Sequence, residues 1–512
     1  MARIGGNGTA DRLGGVNGAR AIYETLAAGG VSVCFANPGT TEVDLVHALD
    51  DVPAIDAHLV LHEAVATGAA DGYGRMTGKP ASTLLHLGPG YANGAANLHN
   101  AWRARTPIVN VVGDHATWHR PHDTGLASDI EALAAVHSER VVTVSDPGAD
   151  AARALATRGI ATLVVPADVQ RSPAEPGYPV APDPPSTVPE DRVATVVERL
   201  GSGRPTVLLL DGPALVGRGL ELAGRVATAT GAGLLHATLP ARVRRGSGLP
   251  PVRRLPYAPD RARALLGDAM VVLVGALPPT TFFGYEGVPS HLVPPDRVVL
   301  GADPDEDVVG FLEEVADRLG AADVERVASA PPERPEGAID IGSVGAAVAW
   351  SQPEDAVVVN AAVTSGGPWE VASSAAPPHD MLTIVGGALG FGLPAAVGAA
   401  VACPGRRVIA LVADGSALYV PQALWNLARD GLDVTVVAFV NQRYRIISGE
   451  LARVREPGSV AERLTDIGGI DFVRLAGAFG VPAERVERAD ELADLLAGTG
   501  REPGPALVEV PV

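Results

Sequence analysis

The 512-residue chain predicts an α/β architecture of three doubly wound, parallel-sheet domains. Length comes first: at about 150 residues per domain the chain has room for about three. Short apolar runs alternate with helical patterns throughout, the sign of parallel strands joined by crossover helices. Two proline-rich stretches, 172–191 and 331–337, cannot continue a helix or a central strand and read as extended linkers. They leave domains expected at residues 15–175, 190–330 and 338–512.

In the first block the apolar runs fall at 31–36, 82–87 and 108–112; in the middle block at 206–210, 270–274 and 298–300. The third block has them at 356–360, 407–413 and 434–440. The outer blocks share a further device, a strand followed by a glycine-rich turn that opens an alanine-rich helix. It reads HLGPGYANGAANL at 86–98 and VGGALGFGLPAAVG at 385–398. Two related α/β domains flanking a third fit this pattern.

Composition removes several classes. With 47% hydrophobic and 19% charged residues the chain is neither disordered, nor a coiled coil, nor collagen-like. Forty basic against 59 acidic residues give a net charge of -19, which argues against a nucleic-acid partner. Cys34 and Cys403 cannot supply a disulfide framework or a cysteine zinc site, and read as small buried apolar groups. There is no apolar run of about 18 residues and no apolar leader segment, so the expectation is a soluble, cytoplasmic enzyme that does not engage membranes.

The densest chemistry lies in 407–448. RVIALVADGS reads as a strand entering a tight turn, VPQALWNLARDG as a short helix stopped at Gly431, and DVTVVAFVNQRY as the next strand with its exit loop. In a βαβ unit both strand ends lie on one sheet edge, where ligands of open α/β sheets bind. Asp414 and Asn441 would emerge there side by side, about 5 Å apart on neighbouring strands. A carboxylate and an amide oxygen at that spacing suit Mg²⁺, which keeps further positions for phosphate oxygens and water. Gly415, Ser416 and nearby backbone amides suit a diphosphate. Taken alone, the same residues also mark two ordinary turns.

The arrangement ADGS…VNQRY resembles the GDGS…NN signature of thiamine-diphosphate-dependent enzymes. By that resemblance Asp414 and Asn441 are the side-chain ligands of Mg²⁺, Arg443 offers a backbone carbonyl to it, and Tyr444 joins Gly415 and Ser416 at the cofactor. The segment HLVLHEAVATGAADGYGRMTGKPA (58–81) looks like the one that carries the family's activating glutamate, here Glu63. Its carboxyl group, hydrogen-bonded to the pyrimidine ring, would drive the imino tautomer whose nitrogen takes the thiazolium C2 proton. Read by itself, Glu63 is also an ordinary acidic residue in a helix's first turn. CFANPGTTEVDL resembles the family's NPG(S/T) loop, and LLHLGPGYANGAANLHNAW its glycine-rich turn. In IVGGALGFGLPAAVGAA (384–400) the resemblance makes Gly387 a carbonyl acceptor for the pyrimidine amino group and Leu389 the apolar wedge that bends the cofactor. As plain structure the segment is a glycine-rich helix entry.

The resemblance spans nearly the whole chain and is closest to the branch of benzoylformate decarboxylase and acetolactate synthase. It implies pyrimidine-binding, central Rossmann-like and diphosphate-binding domains. It also implies active sites between the first domain of one subunit and the third of another, hence a homodimer or homotetramer. The implied substrate is a small 2-oxo acid, decarboxylated by a C2 carbanion to leave an enamine. Protonation then releases an aldehyde (a lyase), whereas attack on an aldehyde or keto acceptor makes the enzyme an acetolactate-synthase-like transferase, a carboligase. A non-catalytic cofactor-binding subunit is a third reading, opposed by the presence of Glu63, Asp414 and Asn441.

His86 and Thr40 match residues that face the substrate in benzoylformate decarboxylase; structurally they also read as a capped strand-end histidine and a helix N-cap. His115, His119 and His122 cluster in GDHATWHRPHDTG. His122 is a candidate proton relay beside the plainer reading of a solvated loop histidine, and the H-x3-H spacing lacks a further ligand for zinc. Departures from the family pattern are Ala413, Val440 and Arg445. The run VVNAAVTSGGPW lacks the family's acidic residue, leaving Thr364 and Ser365 as candidate cofactor contacts. The middle block's DGPALVGRG is no proper dinucleotide fingerprint, the flavin motif of anabolic acetolactate synthases is missing, and Phe282 and Phe283 suggest an apolar pocket.

Overall fold

The computed structural model describes residues 15–324, 328–499 and 503–512. The first sheet is built from β1 (Val33–Asn37), β2 (Asp56–Leu59), β3 (Ala81–Leu85), β4 (Ile108–Asp114), β5 (Arg140–Thr143) and β6 (Ile160–Pro166), in the order β2-β1-β3-β4-β6-β5. β4 and β6 are buried at every residue, which explains their unbroken apolar character. The middle block contributes β7 (Thr206–Leu210), β8 (Gly233–His236), β9 (Arg242–Arg245), β10 (Arg253–Arg254), β11 (Met270–Val274) and β12 (Val298–Ala302). Its sheet runs β10-β8-β7-β11-β12 and pairs in parallel throughout. The third sheet holds β13 (Val357–Ala361), β14 (His379–Thr383), β15 (Val408–Ala413), β16 (Val434–Val440), β17 (Ala483–Arg485) and β18 (Ala506–Pro511), ordered β17-β18-β16-β15-β13-β14-β9.

Two details depart from the sequence reading. β9 leaves the middle block and pairs antiparallel with β14, so the third sheet is mixed. Charge pins it there: Arg242 and Arg244 of β9, with Arg406, all reach the buried Asp380 of β14, at 2.8, 3.3 and 2.6 Å. Second, the segment expected to form a glycine-rich turn after β3 is helical from Leu87 to Arg103. The corner falls instead on Leu87, held at φ +54, a backbone state that a leucine seldom adopts. The glycines serve close approach: a Cβ on Gly94 would sit 2.8 Å from Thr67 Cγ2.

Tertiary contacts divide the chain into two compact units. Of the described residues, one comprises 15–58 with 80–92 and 108–182; the other comprises 59–79, 93–107 and those from 183 onward. The Glu63–Thr77 helix, buried on nearly all sides, therefore groups with the third sheet, against the Gly392–Ala402 helix. Glycine makes that crossing tight. A Cβ on Gly68 would lie 2.6 Å from Pro394 Cβ, one on Gly72 would overlap the Ala395 carbonyl, and one on Gly398 would overlap the Ala69 carbonyl. Among the described residues no helix is long and apolar enough to cross a membrane.

Overpacking this crossing tests it. Gly398→Val is expected to destabilise the protein by about 1–3 kcal/mol or more, because backbone rather than a side-chain tip must yield. Gly449→Ala, at a helical glycine with open space around it, should leave the melting temperature unchanged or raise it. Thermal unfolding of the two variants checks the contrast; equal melting temperatures would refute it.

Candidate active site

Three adjacent parallel strands, β13, β15 and β16, bring their carboxyl ends together. The register pairs Ala361 with Val412 and Ala413 with Phe439, so Asp414 and Asn441 both emerge on that edge. Asp414 is 2% exposed. Its Oδ1 accepts from the Gly415 amide (2.7 Å), and its Oδ2 accepts from the amides of Asn441 (2.9 Å) and Gln442 (2.6 Å). Burial raises its pKa above the ordinary aspartate value, while the three amide donors pull it back. Asn441 Oδ1 accepts from the Arg443 amide at 3.0 Å, and the Arg443 carbonyl accepts from the Arg445 amide at 2.9 Å. A carboxylate offers about four lone-pair directions, and amide and peptide oxygens two each. Each of the three groups therefore keeps one direction for a ligand, an oxygen set of the kind hard cations take.

The rest of this edge is shaped by small residues. Gly415 lies under the Tyr444 ring, where a Cβ would come 2.6 Å from Cε1. Ser416 is buried. After β13 the chain bends through Val363 at φ +50, leaving Thr364 exposed and Ser365 buried. The Ser365 hydroxyl is buried without a hydrogen-bond partner, which a bound polar group would satisfy. Spare oxygen lone pairs and an orphaned hydroxyl on one sheet edge fit a cation with a diphosphate.

The glycine-rich segment after β14 is held by the Leu87–Arg103 helix. Asn100 donates to the Ala388 carbonyl (2.9 Å) and accepts from its amide (3.2 Å); Asn97 donates to the Gly390 carbonyl at 3.4 Å. Gly387 stands exposed at φ +73 and Leu389 half-buried beside it. The side chain of Phe282, from the middle block, approaches Gly387, its Cζ 3.4 Å from where a Cβ would be. Phe282 and Phe283 stack edge to face at 5.1 Å and are 46% and 55% exposed, forming an open apolar patch rather than an enclosed pocket.

Glu63 opens its helix after the N-cap His62, whose ring accepts from the Ala64 amide at 3.0 Å. Glu63 is 6% exposed, and its carboxylate accepts from Asn93 Nδ2 at 3.0 Å. Behind it the helix is anchored by Arg75. That guanidinium pairs with buried Asp71 at 2.6 Å, donates to the Thr383 carbonyl at the end of β14, and lies over the Phe391 ring.

The first unit carries a separate constellation at the ends of β1 and β3. His86 follows β3, with Nδ1 2.7 Å from Glu42 Oε2. Glu42, absent from the sequence reading, is fully buried; it also accepts from the Gly39 amide and from Thr41 Oγ1. Thr40 is exposed at the start of a short 3-10 turn capped by Gly39, and it is Thr41 Oγ1 that approaches His86, at 3.4 Å. Thr40 is therefore not the N-cap. After β4, the rings of His115, His119 and His122 form a chain at 5.5 and 5.7 Å. His115 is held by Thr124, while His122 is exposed; among the described residues no group of three His, Cys, Asp or Glu is placed to hold a metal.

Comparison with known proteins gives this geometry a family. Residues 16–135 match the model of the N-terminal cofactor-binding domain of thiamine pyrophosphate (thiamine diphosphate) enzymes, and residues 368–510 match that of the C-terminal domain. A Mycobacterium tuberculosis protein bearing the provisional name acetolactate synthase large subunit IlvX is 47% identical, over 97% of this chain and 99% of its own. The benzoylformate decarboxylase of Pseudomonas aeruginosa is 28% identical over 96% and 98%. The solved 4-hydroxybenzoylformate decarboxylase of Rhodococcus jostii superposes with a TM-score of 0.84 at 26% identity, covering 97% of this chain and 99% of that one. Strand-end oxygens, an orphaned hydroxyl and a glutamate at a helix start thus sit in a chain that belongs to the thiamine-diphosphate-dependent enzymes, in the group of acetolactate synthase and benzoylformate decarboxylase.

Proposed function

We propose that the protein decarboxylates a small 2-oxo acid and releases the corresponding aldehyde, using thiamine diphosphate and Mg²⁺. The observation that carries the choice of aldehyde release is His86. Its ring is partly exposed at a strand end and fixed from behind by a buried carboxylate, as a proton donor to product must be. Thiamine diphosphate, when bound, supplies a carbon nucleophile and an electron sink for the bond to CO₂.

The chain's own residues do the rest. Side-chain oxygens of Asp414 and Asn441, with the Arg443 carbonyl, would hold the cation at the diphosphate end. Gly415, Ser416, Tyr444, Thr364 and Ser365 line that end. Leu389 would wedge the cofactor, and the Gly387 carbonyl would accept from its amino group. Glu63 holds a proton for the pyrimidine ring, and the low exposure of its carboxyl keeps water from competing. His86 would give a proton to the product carbon, Thr40 would orient the substrate, and His122 would restore the proton of His86 from solvent. Imidazole suits that exchange because it gives and takes protons near neutral pH. As in the family, the working form is a homodimer or homotetramer with sites between subunits; its place of work is the cytoplasm. The domain limits 15–175, 190–330 and 338–512 belong to the same reading, the middle domain lending Phe282 and Phe283 to the substrate end.

A second reading has its own support. The 47% identical relative carries a provisional acetolactate synthase name, which favours transfer of the acyl unit to a second carbonyl. An NMR product screen of 2-oxo acids, with and without aldehyde or keto acceptors, separates the two.

Three variants test the assignments. Asp414→Ala should abolish Mg²⁺-dependent binding of thiamine diphosphate, because the diphosphate loses its bridging cation; undiminished binding by calorimetry would end the metal assignment. Glu63→Gln should bind the cofactor yet exchange its C2 proton for deuterium far more slowly than wild type. Exchange at the wild-type rate would remove Glu63 from activation. His86→Ala should slow aldehyde release by about 10²-fold, the scale of a lost acid–base group, and slow carboligation less. Equal aldehyde rates in variant and wild type would return His86 to a structural role.

A further inference from the structure

We infer that Glu42 is a positioning residue for His86: its carboxylate keeps a hydrogen on Nδ1, so that Nε2 is the nitrogen that takes up a proton from solvent and gives it to the substrate carbon. The inference rests on the reading of His86 as the proton donor, and it adds the group that sets which nitrogen does the work.

The geometry is specific. Glu42 Oε2 accepts from the Gly39 amide at 2.8 Å and lies 2.7 Å from His86 Nδ1. An oxygen already accepting from an amide, on an acceptor-only carboxylate, requires the facing ring nitrogen to carry the hydrogen. The other oxygen, Oε1, accepts from Thr41 Oγ1 at 2.7 Å, so the carboxylate cannot swing away without breaking a second bond. Thr41 Oγ1 lies 3.4 Å from the same Nδ1, too far to replace Glu42 as the ring's partner.

The space for the pair is made by two glycines on separate segments. A Cβ on Gly113, in β4, would overlap Glu42 Oε1; a Cβ on Gly39 would overlap the His86 ring. Glu42 is fully buried, whereas His86 keeps 23% of its side chain exposed. One partner thus faces the interior and the other the strand ends. Leu87, at φ +54, fixes the corner from which His86 projects. A carboxylate behind a half-exposed imidazole fixes its tautomer and orientation, so that a single ring nitrogen is presented outward.

The test reads the ring directly. Apoprotein labelled with ¹⁵N in the histidine side chains is examined by NMR at neutral pH, the His86 signals being identified by their loss in His86→Asn. In its neutral form the wild-type ring is expected to carry its hydrogen on Nδ1, leaving Nε2 to take up the proton that is later given. Glu42→Gln, whose amide oxygen can still accept from Gly39 and His86 while its nitrogen donates to Thr41, should keep that tautomer. Glu42→Ala should lose it, and so should Gly113→Ala, which displaces the carboxylate without removing any polar group. In the loaded enzyme Glu42→Ala should lower the rate of aldehyde release about tenfold or more, and Glu42→Gln should restore most of it. A bare Nδ1 in wild type, or an unchanged tautomer in folded Gly113→Ala and Glu42→Ala, overturns the inference. If the tautomer follows Glu42 but His86→Ala releases aldehyde at the wild-type rate, the role of His86 fails while Glu42's hold on its ring stands.

Discussion

One buried carboxylate organises the edge of the third sheet. Asp414 ends β15 and gathers three backbone amides, two of them from the exit loop of β16. Burying a carboxylate costs desolvation, and the raised pKa records that cost; the amides offset it only if both strand ends hold their places. Gln442 accepts φ +56 to bring its amide to Oδ2, and the loop is tied down again where Ile467 and Tyr444 hydrogen-bond across to Gln442 and Thr465. An asparagine could not replace this aspartate. Two amides at one oxygen fix that atom as the acceptor, so the NH₂ would face the Gly415 amide, donor against donor. The site is therefore assembled by the same interactions that terminate the strands.

Glu63 depends on a different constraint, the close crossing of its helix with the Gly392–Ala402 helix. Glycines 68, 72 and 398 let backbone meet backbone, and Arg75 locks the far end to Asp71 and to the Thr383 carbonyl. A guanidinium and a carboxylate buried together contribute little net stability but are costly to separate, so the helix has one seating. The segment carrying Gly387 and Leu389 starts just past Thr383, and Asn97 and Asn100 hold it to the Leu87–Arg103 helix. Glu63, Gly387 and Leu389 are thus placed by one set of contacts within the protein.

The third sheet's edge was legible in the sequence because its chemistry is local: a strand, DGS, a helix, a second strand and an asparagine, in the order and spacing of a βαβ unit. The strands themselves were legible as apolar runs; β7, β11 and β16 fall where those runs were drawn. The glycines of 88–94 read as a turn in the sequence, since glycine signals both conformational freedom and close approach; the neighbours Ser128 at Gly88 and Thr67 at Gly94 show that close approach applies. β9 was hidden because its partner lies more than 130 residues away and its arginines look like a solvated face until Asp380 appears beneath them. Glu42 escaped for a similar reason. An acidic residue three positions after Gly39 looks like helix capping, which it also provides; its pairing with His86, 44 residues on, requires the β1–β3 pairing to be known.

Counting unsatisfied lone pairs separates three carboxylates that look alike in sequence. Glu42 has its oxygens taken by the Gly39 amide, His86 and Thr41, with β4 at Gly113 closing the remaining side, so it can only hold what surrounds it. Asp414 spends three directions on amides and keeps one, enough to ligate but not to exchange a proton without loosening the strand ends. Glu63 accepts, among the described residues, from Asn93 alone, which leaves its second oxygen uncommitted at the start of a rigid helix. An organiser needs every direction filled, a ligand needs one open, and a proton-exchanging group needs a free oxygen on a fixed frame. The hydrogen bonds of the three residues match the roles proposed for them, Glu42 to hold His86, Asp414 to ligate and Glu63 to exchange a proton.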